Sequence, residues 1–307
     1  MFNKIKHTLN TIKTEFSIKD LENFTGIKSH TIRIWEKRYG LLKPNRTDTN
    51  IRYYDTDDFL KLLNINLLYK NGFKISKIAD FSEDTLFLKA KELISGKAQE
   101  EGAMNSFKIA MLNFDAVLFN DAYNKLLSYK SFREIFLEVF IPLLEHIGYL
   151  WQTKTIKPVQ EHFISNLITQ KIQSNIERNQ TINFKKNDPV YVLYLPENEI
   201  HELGLLYLHY ELTLRNHHSI YLGQSISKEH VADLKSFYSD ICFISYFTIE
   251  PSDEHLESYL EDIHRELLIG TKNNFWFLGR KAVQHKNMKF KSQIRSFLSI
   301  NELLNII

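Results

Sequence analysis

Cysteine is all but missing from this 307-residue chain. The single one, Cys242, sits inside the apolar run Asp240-Ile-Cys-Phe-Ile-Ser245, so a disulfide framework and a thiolate metal cluster are both excluded. No apolar run reaches the roughly 18 residues a membrane span needs. The start, Met1-Phe-Asn-Lys-Ile-Lys-His7, lacks the apolar core of a signal peptide, so a cytoplasmic location away from membranes is expected. Glycine (10) and proline (6) are few, a bias read as base composition, not function. The composition, 43% hydrophobic and 25% charged, is that of a soluble globular protein, and the length suggests two or three domains. A net charge of only +2 hides an asymmetry: residues 1–75 carry 14 Lys and Arg against 8 Asp and Glu, leaving −4 for the other 232. The front of the chain is the expected reader of an anionic polymer.

Residues 1–15 read as a polar arm. Ser17 with Asp20 three residues on forms a capping box, opening a helix that buries Ile18, Leu21 and Phe24 before Thr25-Gly26 turns the chain. Ser29 is expected to cap a second helix with Ile32 and Trp35, joined by Tyr39, facing inward and His30, Thr31, Arg33, Lys37 and Arg38 facing out. Two short helices about a tight glycine turn, the second basic outside, form a helix-turn-helix; two core helices with solvated basic faces are the plainer alternative. A turn-rich hairpin follows, with Arg46 on one side and Arg52-Tyr53-Tyr54 on the other. The run from Thr31-Ile-Arg-Ile-Trp to Arg52-Tyr-Tyr-Asp55 resembles the winged-helix DNA-binding domain of the MerR family over residues 16–80. The resemblance implies a recognition helix in the major groove of operator DNA and a wing gripping phosphate. Arg33, Arg38 and Arg46 are then the principal DNA contacts, with Arg52 and Tyr53 holding the wing.

A polar linker is expected over 81–105. Four helical patterns follow, Ser106–Leu118, Phe119–Ser128, Ser131–Leu150 and Val159–Ile176, making a four-helix bundle over 106–180. From 187 to 307, strands at 190–195, 219–223, 241–246 and 274–278 alternate with helices at 202–216, 228–238, 253–268 and 291–304, as in a doubly wound parallel sheet. The fold class is therefore multidomain: an α winged helix-turn-helix, a four-helix bundle, and a Rossmann-like α/β sheet.

At the carboxyl end of the first long strand, where such sheets bind ligands, lies Asn198-Glu-Ile-His-Glu-Leu-Gly204. Glu199 can reach His201 and fix its tautomer, as a metal-ligating imidazole requires; a loop histidine exposed to solvent is the plainer alternative. Glu199-x-His201-x-x-Gly204 resembles the Asp-x-His-x-x-Gly motif of cobalamin-binding domains, which implies that His201 is the lower ligand to cobalt. That family's pattern also has Ser-x-Leu and Gly-Gly, matched here by Ser245-Tyr-Phe247 and Gly279-Arg280, with Phe and Arg as departures. Trp151 and the Glu161-His162 pair, with nine residues between them, resemble the bundle of light-responsive cobalamin regulators of the CarH and LitR type. The resemblance places Trp151 over the upper face of adenosylcobalamin, with Glu161 and His162 at its adenosyl group. Gln152 stands where those relatives have a histidine that becomes the second axial ligand in light, so a bis-histidine product is not expected from that position; an amide is a poor cobalt ligand.

The combined expectation is a non-enzymatic transcriptional regulator, a repressor, sensing adenosylcobalamin and light, with operator DNA and its own copies, as dimer or tetramer, for partners. A competing reading keeps the DNA binding and makes the last domain a cofactor-free surface for dimerisation or an antirepressor protein. A corrinoid methyltransferase subunit, from a different class, has no use for a winged helix.

Overall fold

Helix formation begins where side chains satisfy the amides that a helix start leaves unpaired. Ser17 accepts from the Asp20 amide while Asp20 accepts from the Ser17 amide, the expected capping box, and α1 (Ile18–Thr25) ends on Gly26 at φ 76, a left-handed conformation that glycine adopts without strain. α2 (Ser29–Tyr39) differs from expectation at its start: Ser29 is its first helical residue, and the cap comes from elsewhere. Glu22 of α1 accepts from the Ser29 amide at 3.1 Å and from the Ser29 hydroxyl at 2.6 Å. These bonds, with that from Lys19, hold the Glu22 carboxyl at about 2, below its usual range.

The computed structural model describes residues 14–94, 98–180, 183–185 and 188–307. The arm expected at 1–15 lies outside them except for its last two residues. The chain divides into two compact units, Met1–Leu167 and Ile168–Ile307.

In the first unit, α1 and α2 are followed by the two-stranded wing, β1 (Asn45–Arg46) and β2 (Arg52–Tyr53), then α3 (Thr56–Lys70), α4 (Ile75–Ala79), α5 (Glu83–Ile94), α6 (Gln99–Asn113) and α7 (Ala116–Leu127). α8 (Phe132–Ile135) runs through a π turn at 136–140 into α9 (Ile141–Gln152), and α10 (Pro158–Asn179) crosses the division between the units. The stretch expected as a polar linker, 81–105, is a correction: it is mostly helical. Ala90 and Ala98 are buried against Leu67 of α3, and that burial outweighs the polar look of the segment. Phe107, Phe119, Phe136 and Phe140 are fully buried at the centre of the bundle helices, with Phe107 and Phe119 4.9 Å apart between ring centroids.

The winged helix is tied to the bundle by buried polar groups. Asn23 of α1 donates to the Thr155 hydroxyl at 2.7 Å and accepts from the Tyr149 hydroxyl at 3.2 Å. Lys108 of α6 donates to the Phe24 carbonyl at 3.2 Å, near the carboxyl end of α1, and burial lowers this amine to about 8.

The second unit has β3 (Val190–Tyr194), α11 (Leu203–Leu214), β4 (Ser219–Gly223), α12 (Lys228–Ala232), β5 (Ile241–Tyr246), α13 (Leu256–Ile263), β6 (Asn274–Leu278), α14 (Arg280–Gln284), β7 (Ile294–Ser296) and α15 (Ile300–Leu304). The sheet order is β4-β3-β5-β6-β7, and every pairing is parallel. The helix expected over 291–304 is corrected to β7 followed by α15. Ile294 pairs with Phe275 and Ser296 with Phe277, so a neighbouring strand overrides the local helical pattern. Chain order reverses between β3 and β5, and the crevice outside the carboxyl ends of those strands is where such sheets place ligands.

Because Glu22 caps α2, Glu22→Gln should cost the winged helix about 1 kcal/mol at pH 7. A depressed carboxyl stabilises above its unfolded value and loses that contribution as pH falls through its folded value, so the deficit should shrink between pH 4.5 and about 2. Melting curves of the two proteins at pH 7 and pH 3 check this; an equal deficit at both would remove Glu22 from the cap.

Candidate functional site

In the winged helix, His30, Arg33, Lys37 and Arg38 are exposed along α2, with Thr31 and Tyr39 half-buried beside them. Ile32 and Trp35 are buried on the opposite face, so packing alone turns the basic face outward. Arg38 lies over the Tyr39 ring, 5.3 Å from its centroid. Glu36, on the same helix, accepts from Arg52 Nε at 3.3 Å and from the Tyr54 hydroxyl at 3.0 Å. Recognition helix and wing are thereby fixed to each other. Arg46, exposed at the wing, donates to the Asn50 side chain at 2.6 Å across the hairpin turn, while Tyr53 is half-buried on β2. A rigid basic helix with a wing bearing an arginine is a surface built to meet duplex DNA.

In the bundle, Trp151 is 54% exposed at the end of α9, with Gln152 exposed beside it. Glu161, in the first turn of α10, accepts from the Ser165 hydroxyl at 2.8 Å and stands 3.3 Å from Nδ1 of the exposed His162. These side chains are thus free of the bundle core and held by local bonds.

The second unit contains a buried carboxylate held by many hydrogen bonds. The loop after β3 passes through Asn198 at φ 66, whose amide donates to the Ser225 hydroxyl, and turns the Glu199 side chain inward, where it is fully buried. One carboxylate oxygen accepts from the amides of Ile200 and His201 and from Nδ1 of His201 at 2.6 Å. The other accepts from the amides of Thr248, Ile249 and Glu250, beyond β5, at 2.7–3.0 Å. Burial alone would raise this carboxyl, but the bonds from His201 and from the Ile249, His201 and Glu250 amides outweigh it and hold the group at about 2. His201 is 46% exposed. Nδ1 of His201 faces the Glu199 carboxylate, and a proton held there as the donor would make Nε2 the nitrogen offered to a metal, the arrangement a metal-bound imidazole needs. Among the described residues no group of three or more His, Cys, Asp or Glu is placed to hold a metal ion by itself.

The neighbouring groove departs from expectation. A Cβ at Gly204, near the start of α11, would lie 2.5 Å from the Tyr246 ring, and one at Gly279, at the start of α14, 2.6 Å from the Phe247 carbonyl and 2.9 Å from the same ring. Tyr246 fills the space the two glycines leave open. Arg280, the bulky departure in the sequence, is exposed instead. Ser245 is not brought to the crevice either: it is fully buried and donates to the Tyr194 carbonyl at 2.8 Å, because strand alternation turns it and Phe247 towards the other face of the sheet. There Phe247 stacks on Phe277 at 5.0 Å. Sequence reasoning missed Tyr246. The strand period of two, which puts it on the face of Cys242 and Ile244, was the available signal. His201 is thus presented at the strand ends, with the Tyr246 ring packed between Gly204 and Gly279 on the same rim.

Comparisons with known proteins match two stretches of the chain. Residues 16–84 match the MerR HTH family regulatory protein family and residues 103–174 the B12 binding domain family. The chain is 27% identical to the HTH-type transcriptional repressor CarH of Myxococcus xanthus over 62% of its own length, and 25% identical to the repressor CarA of the same organism. Those matches span 64% and 62% of the two relatives' lengths. The Methanosarcina barkeri monomethylamine corrinoid protein shares the fold at a TM-score of 0.52 and 11% identity, covering 67% of this chain and 97% of that one.

Glu199→Gln should leave several amides poorly paired, since an amide oxygen cannot replace a two-oxygen acceptor, and destabilise the second unit by about 2–3 kcal/mol. The wild-type advantage is full above pH 4.5 and lost as pH falls towards about 2; denaturation at pH 7 and pH 3 measures it, and a variant as stable as wild type at pH 7 would contradict this account of the loop. The chain thus carries a MerR-type helix-turn-helix domain followed by a B12 binding domain and is homologous to the CarH and CarA repressors.

Proposed function

We propose that the protein is a cytoplasmic DNA-binding transcriptional repressor whose C-terminal part senses a corrinoid through His201. The observation that carries this reading is the buried Glu199 carboxylate, which is committed to orienting one half-exposed imidazole at the strand ends. A fully desolvated carboxylate is costly unless such bonds compensate it, and here they all converge on the loop that presents His201.

The exposed residues of α2, Arg33, Lys37 and Arg38 with His30 and Thr31, read the major groove, and Arg46 meets phosphate. Glu36 keeps the wing in register with that helix through Arg52. Toward a cofactor, Glu199 would hold the proton on Nδ1 of His201 and so offer Nε2 to the metal, and Trp151, Glu161 and His162 would be further contact residues, as the similarity to the CarH type implies. When bound, the group would supply a cobalt able to accept a nitrogen ligand and, in an adenosyl form, a light-sensitive bond. Binding that favours a dimer or tetramer raises DNA affinity, because paired winged helices engage paired half-sites at high effective concentration. A second reading, a cofactor-free domain serving dimerisation or an antirepressor protein, draws on the groove closed by Tyr246.

Replacing Arg33 or Arg38 with Ala should weaken binding to a duplex enriched by in vitro selection by about 1–3 kcal/mol without changing the circular dichroism spectrum. Fluorescence anisotropy measures this, and unchanged affinity in both variants would exclude α2 as the reading helix.

A further inference from the structure

In open α/β sheets the ligand lies against backbone at the strand ends, and glycines near the following helices allow that approach. Gly204, after β3, and Gly279, after β6, hold those places here, but the Tyr246 ring packs against both. The ring is half-buried beside the core that includes Leu205, Leu208 and Leu278. Gly204 makes room for a side chain of this protein, and Gly279, which also lets the Phe247 carbonyl approach, borders the same ring, so the space an elongated part of a ligand would take holds a tyrosine. His201, on the same rim, keeps half its surface open. Arg280, by contrast, is exposed.

A corrinoid with a nucleotide arm brings two parts to such a site: the ring with its metal, which an imidazole can hold, and the arm, which needs a groove running inward beside the helix start. The first finds its ligand in this chain; the second finds a tyrosine ring. Resting on the corrinoid reading above, we infer that Tyr246 is a specificity-determining residue, closing the groove to a nucleotide arm, so that the site takes a corrinoid lacking that arm in preference to cobalamin.

The closed groove is a matter of ring volume and not of the hydroxyl. Tyr246→Phe keeps the ring and should behave as wild type, whereas Tyr246→Ala opens the space between the glycines. The purified full chain and both variants would be titrated with hydroxocobalamin and with diaquocobinamide, following bound corrinoid by equilibrium dialysis, and with melting curves to show that each variant is folded. Wild type and Tyr246→Phe should hold cobinamide at least about tenfold more tightly than cobalamin. Tyr246→Ala should gain about tenfold or more for cobalamin with cobinamide little changed. Wild type that binds cobalamin as tightly as cobinamide, or a folded Tyr246→Ala with the wild-type preference, overturns the inference while leaving the corrinoid reading in place. Binding of neither compound to any of the three proteins overturns both.

Discussion

The second unit depends on one carboxylate. Glu199 gathers five backbone amides and an imidazole nitrogen, joining the loop after β3 to the loop after β5 across the point where strand order reverses. Each charge-assisted bond is worth more than a neutral one, and together they convert two loops that would otherwise sample many conformations into a fixed rim. Every feature of the rim follows from that: the direction of His201, the start of α11 just beyond it, and the closeness of Gly204 to β5.

The same rim explains why glycine alone is an incomplete signal. Gly204 and Gly279 stand at helix starts, as ligand-approach glycines do, yet their neighbour is Tyr246. The sequence separates Tyr246 from each glycine by dozens of residues, so the contact exists only once β3, β5 and β6 are paired. By contrast, Glu199 and His201 are two residues apart, and their bond could be read directly from the chain. The three amides that complete the Glu199 site come from Thr248 to Glu250, a segment with no side-chain signature for that role. The helix-turn-helix was legible for the same reason as the Glu199-His201 pair: caps, glycine turns and helical spacing are local. The stretch around Ala90 and Ala98 was not, because its helicity comes from packing on Leu67, and β7, three residues long, owes its existence to β6.

In the first unit, the reader of DNA is held by polar contacts that a simple apolar interface would not require. Asn23 bridges Thr155 and Tyr149, and the buried Lys108 amine reaches the Phe24 carbonyl. Buried polar groups are costly if one partner leaves, so these bonds give the α1 position on the bundle a definite geometry.

The central claim is that His201 supplies the nitrogen by which this chain holds a corrinoid metal. The most direct measurement is the absorption spectrum of diaquocobinamide mixed with wild type and with His201→Ala. The account predicts an imidazole-ligated spectrum with wild type and the spectrum of the free corrinoid with the variant. The same spectrum in both proteins, whether ligated or free, would contradict it.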